Sequence, residues 1–482
     1  MNLRLSPALV AFVLAGCTVT APYQAPDAKV PDSYSTTFPI SADKGAMSDA
    51  WWTSFNDAEL DALVARALDN NRDIALAMTR LREARAQVRV AEAQERPQVD
   101  FGVSGERSRI STNNRIPVRG LPNPANLYQT GFDASWELDL FGRIDLTRLQ
   151  AVAEAEKAFY DRETIAVSVA AEVAASYIRM RGAQARMATL DEQLLAGRET
   201  VKLIAARARS GLVPQVDALR ADEVLLGLEA QRPPVAAVVD VEVRRLAVLV
   251  GDAPGALVGR FGAGRLPDAM AAVPATAPAT LLTRRADLRA LERAYAAEHG
   301  RVGIAEAERY PTLSLNLAAG LLSLSTGNLA TAGSLLWNAG LSSTVPVYRG
   351  GSIEGNIDTA AARRDQARLR YEDAAMKAVE EVESAAIRLD RETERHRRTA
   401  DAVRVSEDIR NLALARFRSG LSDFLSVLDA QRQLFAAQNE ETAAREQRML
   451  NVIALHKALG GSWAGSVAKA GADKVSAGIT AP

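Results

Sequence analysis

Apolar and polar positions along this chain change period several times, and each change marks an element. Leu60, Leu63, Val64, Ala67 and Leu68 recur at helical spacing. Asn56, with Glu59 three residues on, predicts the helix start. That helix runs to about Arg96, where Pro97 biases its predecessor toward extended geometry. Period two then takes over: Val99, Phe101 and Val103 fall on one face, and Gln98, Asp100, Gly102 and Ser104 on the other. A Pro/Asn/Gly-rich loop, Asn113 to Asn126, leads to a second alternating run. There Phe132, Ala134, Trp136, Leu138 and Leu140 oppose Asp133, Ser135, Glu137 and Asp139.

The same plan is then repeated. Glu308-Arg309-Tyr310-Pro311 answers Glu95-Arg96-Pro97, and strands are predicted at Leu313, Leu315, Leu317 and again at Leu341, Ser343, Val345, Val347. Arg209-Ser210-Gly211-Leu212 is answered by Arg418-Ser419-Gly420-Leu421 at an offset of 209 residues, and the proline pair at 214. Such spacing is too large for a short-period solenoid and predicts a duplicated unit. In each half a very long helix follows the strands. Ile144 to Ser210 contains no proline and only two glycines, Gly182 and Gly197; Ile353 to Ser419 contains no proline and one glycine, Gly355. Sixty-odd residues make roughly 100 Å of helix, which calls for coiled-coil-like packing. Each long helix ends in an Arg-Ser-Gly-Leu turn, with glycine available for the left-handed cap. Pro233-Pro234 predicts a break or bend after Gln231.

Composition narrows the chemistry. With 58 basic and 59 acidic residues among 482, the formal net charge is -1, and no nucleic-acid partner is expected. His299, His396 and His456 lie far apart and outside metal-ligand motifs, and no nucleophile-elbow, zincin or phosphate-loop pattern occurs. No catalytic residue, metal site or dissociable cofactor is therefore expected, and no enzymatic activity. Cys17 is the single cysteine and closes Leu14-Ala15-Gly16-Cys17, after Arg4 and the apolar stretch Pro7 to Val13. This is a secretory signal, and it resembles a bacterial lipobox, which implies a covalent lipid on Cys17. Thr18 stands where an inner-membrane retention signal would carry Asp, so the resemblance implies the outer membrane. No later segment reads as a transmembrane helix, so a bilayer crossing requires closed β-structure. Four strands cannot close a barrel, since the smallest have about eight. A dimer would supply eight and a trimer twelve.

Several further runs carry a family resemblance: Trp51-Trp52-Thr53-Ser54-Phe55-Asn56-Asp57, Asn70 with Asp73, and Trp136 through Arg143. Asp429-Ala430-Gln431-Arg432 and Lys457-Ala458-Leu459-Gly460-Gly461-Ser462-Trp463 continue the series. With the duplicated frame, they make the chain similar to the outer membrane factors of bacterial tripartite efflux systems, in the lipid-anchored, multidrug-type branch. Alanine at Ala286 and arginine at Arg349 depart from that family's pattern. The resemblance implies a mixed α/β membrane protein: a homotrimer whose 12-stranded β-barrel, four strands per protomer, continues into a long periplasmic α-helical barrel girdled by a mixed equatorial domain. It implies a periplasmic adaptor and an inner-membrane pump, of the resistance-nodulation-division type, as partners.

On this reading the chain divides into a signal peptide (1–16), a lipid-anchored segment (17–55), a first repeat (56–260), an equatorial linker (261–282), a second repeat (283–460) and a tail (461–482). Asp100, Asp133, Glu137 and Asp139 line the barrel lumen. The two tips, with Arg209, Gly211, Leu212, Arg418, Gly420 and Leu421, face the adaptor. The resemblance matches Asp429 and Arg432, which share a helix face, to gate residues, with Phe417 as an apolar constriction. The function expected is passive export of small toxic solutes or drugs. The alternative is an outer-membrane scaffold or an export duct for metal ions, protein or oligosaccharide. No His- or Met-rich tract announces a metal exporter.

Overall fold

In the computed structural model, residues 22–35, 50–111, 113, 123–267 and 277–461 are described. Cys17 lies outside them, as does most of the loop predicted between the first two strands. The helices and strands follow the duplicated order. Helix α1 (Ala58–Asn70) and α2 (Arg72–Ala93) precede strands β1 (Gln98–Ser108) and β2 (Ala125–Leu138). Then come α3 (Arg143–Arg209), α4 (Gln215–Leu249), α5 (Pro278–Arg284) and α6 (Ala286–Ala307). Strands β3 (Thr312–Ser323) and β4 (Leu335–Thr344) follow, with α7 (Ser352–Arg418) and α8 (Phe424–Ala458) last. The duplication is numerical: α3 and α7 have 67 residues each, α4 and α8 35 each, and α2 and α6 22 each. Two compact units form: one holds Arg80–Ala158 and Ala290–Tyr371, the other Ala28–Thr79, Phe159–Arg289 and the chain from Glu372 on.

In the first unit the four strands form one antiparallel sheet in the order β1-β2-β3-β4. Residues directly opposite share a face, so the register sorts the side chains. Val99 faces Ala134, Phe101 faces Phe132, Ala134 also faces Leu317, Trp136 faces Leu315, and Leu315 faces Leu341. That face is almost wholly apolar. The other carries Asp100 opposite Asp133, Gln129, Glu137, Ser314 and Asn316. Gly131 and Gly320 sit opposite each other on this polar face. A Cβ on Gly131 would lie 2.7 Å from the Ala319 carbonyl oxygen and 2.8 Å from the Gly320 Cα. Cβ directions converge on the concave side of a bent sheet, so the sheet curves toward its polar face here. The predicted boundaries shift: β2 begins before Phe132 and ends at Leu138, and Val345 and Val347 lie beyond β4.

The second unit buries Leu60, Leu63, Val64 and Ala67 of α1. Its N-cap is Asp57, whose Oδ1 accepts from the Glu59 and Leu60 amides at 3.0 and 3.2 Å. Asn56, the predicted cap, is instead the left-handed residue (φ 50°) that closes the 3-10 turn Trp51–Phe55. The predicted single helix to Arg96 is divided at Asn71. That side chain caps two helices at once, accepting from the Asp73 and Ile74 amides and donating to the Leu249 carbonyl at 2.9 Å. Of the break or bend expected at Pro233-Pro234, the break does not occur, because both prolines lie inside continuous α4. Both prolines are exposed, as are Glu229 and Ala230, whose carbonyls lose their helical donors to them, so solvent can serve those acceptors.

His456 is buried against Trp51, the rings stacked at 5.1 Å and 12°. Neither ring nitrogen has a hydrogen-bond partner, and burial pushes its pKa down to about 4. An unfolded histidine titrates near 6.5, so the unfolded chain takes up this proton first. The stability held above pH 6.5 is lost as pH falls toward 4, by about 3 kcal/mol. Thermal unfolding at pH 7 and pH 4.5 should show a loss that His456→Phe reduces.

Candidate functional site

The two Arg-Ser-Gly-Leu turns close identically. Gly211 (φ 70°) and Gly420 (φ 71°) adopt the left-handed conformation that ends a helix most cheaply. The Leu212 amide donates to the Arg207 carbonyl at 2.9 Å and the Gly211 amide to Ala208 at 3.0 Å. The Leu421 and Gly420 amides repeat this with Arg416 and Phe417, at 2.9 and 3.1 Å. Both are Schellman motifs. Leu212 and Leu421 are 71% and 70% exposed, and Arg209 and Arg418 are exposed beside them.

Behind the turns the hairpins pack together. Ile204, Ala218 and Ala221 from the first repeat meet Phe417, Phe424, Val427 and Leu428 from the second. Phe417 is therefore not an apolar constriction: it is 4% exposed, 5.7 Å from the Phe424 ring, with the Arg207 guanidinium 4.7 Å from its centroid. The structure makes it the joint between hairpins. Phe424→Ala should cost about 3–5 kcal/mol, read as a matching loss of protease resistance in the hairpin ends.

Asp429 and Arg432 do not pair with each other. Asp429 is exposed, while Arg432 reaches Glu223 on α4 at 3.5 Å. Glu223 was missed in the sequence reading, yet the signal existed, because 223 and 432 are equivalent under the 209-residue repeat. At the other unit, Asp100 and Asp133 share the polar strand face with Glu137, which binds Arg143 through two hydrogen bonds of 2.8 and 3.2 Å. Asp139 does not join them. The strand ends at Leu138, and Asp139 Oδ2 accepts the Asp145 amide at 2.8 Å, capping α3. Toward the N-terminus, Tyr23 is fastened to α6: its hydroxyl donates to Glu292, and its ring lies 6.1 Å from Tyr295 and 5.8 Å from His299. Among the described residues there is no cluster of three or more His, Cys, Asp or Glu that could hold a metal ion. No described helix is long and apolar enough to cross a membrane.

One unit thus holds a curved sheet with one apolar face, and the other holds duplicated helical hairpins. The outer membrane efflux protein family matches residues 63–252 and 277–461. The antibiotic efflux pump outer membrane protein ArpC of Pseudomonas putida is 31% identical over 467 residues, 95% of each chain. The cation efflux system protein CusC of Escherichia coli O157:H7 is 28% identical over 95% of this chain and 99% of its own. The solved outer-membrane channel OprN superposes with a TM-score of 0.86 at 30% identity, covering 93% of this chain and all of that one. The chain belongs to the outer membrane efflux protein family. It is an outer-membrane exit channel of the efflux type, and the mixed fold expected from the sequence is the fold of these channels.

Proposed function

We propose that three copies of this chain form the passive outer-membrane conduit of a tripartite pump. A periplasmic adaptor and an inner-membrane pump of the resistance-nodulation-division type would load it with small toxic solutes. The observation that carries the reading is the four-stranded sheet. It has two unpaired edges, β1 and β4, and a strongly apolar face with Phe101 61%, Trp337 73% and Leu341 64% exposed. Open edges are not tolerated in lipid, four strands are too few to close, and three copies give twelve. The apolar face then meets lipid, and the concave face with Asp100, Asp133 and Glu137 lines water. A lipid on Cys17 would hold the chain at the membrane, with the segment after it fastened at Tyr23. The cargo follows from the pump rather than from this fold, which suits a family whose members are named for antibiotic and for cation efflux.

Asp429 supports a gating role because it is exposed on the helix just after the second tip, without an ionic partner among the described residues. Asp429→Asn should raise the resting conductance of the channel in planar bilayers and sensitise cells to large toxic solutes. Unchanged conductance and unchanged sensitivity would remove the gate assignment. A purified chain that gives no unitary conductance in either form would remove the conduit.

A further inference from the structure

We infer that a groove across α3, α8 and α7 in the second unit is a solute subsite on the lumen side, taking apolar molecules that carry a carboxylate; this rests on the lipid-anchored conduit reading above. The groove holds about 380 Å³, with walls from α3, from the joint where α8 ends and α6 begins, and from α7. That volume suits a drug-sized molecule. Arg285 sits at the joint with its side chain 11% exposed. Asp287 holds it through bonds of 3.0 and 2.7 Å, Glu381 at 2.7 Å and the Ala458 carbonyl at 3.2 Å, which leaves at most one N–H for a ligand. Arg388 and Lys457 line the same groove, exposed, and their side chains have no hydrogen bond or ion pair among the described residues. Glu380 accepts the Ser384 hydroxyl at 2.7 Å. Two uncommitted cations therefore stand against one carboxylate, and a cleft lined this way concentrates anions. Val167, Ala385 and Ala454 add apolar wall for the body of the molecule.

The duplication shows that the fold does not require this polar set. The helix joint is made in both repeats, by Asn71 on the Leu249 carbonyl and by Arg285 on the Ala458 carbonyl, at equivalent places. Yet 209 residues before Glu380, Ser384 and Lys457 stand Ala171, Ala175 and Val248. The second repeat carries ionic and hydroxyl groups where the first closes the same joint with apolar side chains.

The direction in which the groove faces follows from what packs behind the same three helices. Tyr177 of α3 donates to Asp57 at 2.7 Å, Trp51 stacks on His456 of α8, and the Ser35 amide donates to Glu383 of α7. At about 100° per residue, Tyr177 lies about 220° round α3 from Thr164 of the groove, and Ala454 about 200° round α8 from His456. On α7, Glu383 lies about 100° from Ser384, off the row made by Glu380, Ser384 and Arg388. Ser35, Trp51 and Asp57 all belong to the chain that leads back to Cys17. A chain that ends in the lipid around a barrel runs outside it, so the other face of these helices, with the groove, meets the lumen.

Two readouts separate the subsite from the conduit. The full chain carrying Ala454→Cys is labelled with a water-soluble maleimide in non-ionic detergent, the unsubstituted protein correcting for Cys17. Saturating 2-naphthoate should protect the new thiol, its neutral twin 2-naphthamide should not, and adding Arg388→Gln with Lys457→Gln should remove the protection. In planar bilayers naphthoate should interrupt the unitary current reversibly, and the interruptions should shorten about tenfold for each charged hydrogen bond lost in the Arg388→Gln/Lys457→Gln channel. Equal protection by naphthoate and naphthamide, or protection that survives loss of both cations, overturns the subsite. Protection without interruption in a conducting channel overturns its place in the lumen. A purified, unsubstituted chain that gives no unitary current removes the conduit reading instead, and the labelling still decides whether the groove binds a carboxylate.

Discussion

Replacing Leu212 and Leu421 together with aspartate should abolish efflux while leaving the assembled channel intact. In a Schellman motif the residue after the left-handed glycine commonly packs back on its own helix. Here both leucines point into solvent, each more than two-thirds exposed, at equivalent places in the two repeats. Nothing in the fold requires them, so substitution should change stability by no more than about 0.5 kcal/mol. Burying a leucine on a partner is worth about 1.5–3 kcal/mol, and a trimer would present six. Aspartate removes that gain and adds a desolvation cost. Cells carrying the double variant should be as drug-sensitive as cells lacking the channel, although the variant extracts as the same oligomer. Full resistance with both aspartates present would show that the tips do not dock the adaptor.

Gly131→Val should prevent barrel assembly, although it adds only an uncharged side chain. Its Cβ would stand 2.7 Å from the Ala319 carbonyl and 2.8 Å from the Gly320 Cα, both backbone atoms that cannot rotate away. The strands must part, and each ladder hydrogen bond lost costs about 1 kcal/mol, several in all once the curvature flattens. Gly102 provides the control. It lies on the same polar face directly opposite Gly131, but a Cβ there meets nothing within 4 Å. Gly102→Val should therefore assemble normally, and the oligomer fraction of detergent extracts separates the two. Equal assembly of both variants would refute the account of the curvature.

Much of this architecture was legible in the sequence, because its largest signals are periodic. Alternation placed Val99, Phe101, Phe132 and Trp136 on one strand face, and two proline-free stretches gave the long helices. The errors lie where one local contact decides. Asn71 interrupts a helical pattern without proline or glycine, because its side chain caps the start of α2 and the distant end of α4. Asp139 continues the alternation in sequence, yet the α3 amide at Asp145 takes its carboxylate. Phe417 reads as one apolar residue among charges, and only the meeting of two hairpins reveals it as core. The Glu223–Arg432 contact belongs to neither repeat alone, and becomes visible when the halves are aligned at their 209-residue offset.

Three chains should close one conduit, and cryo-electron imaging of the detergent-extracted particle shows directly whether they do. The expected image is a three-fold hollow cylinder with a twelve-stranded membrane band at one end and a tapered helical end opposite. A monomer, or a solid rod without a lumen, would contradict it.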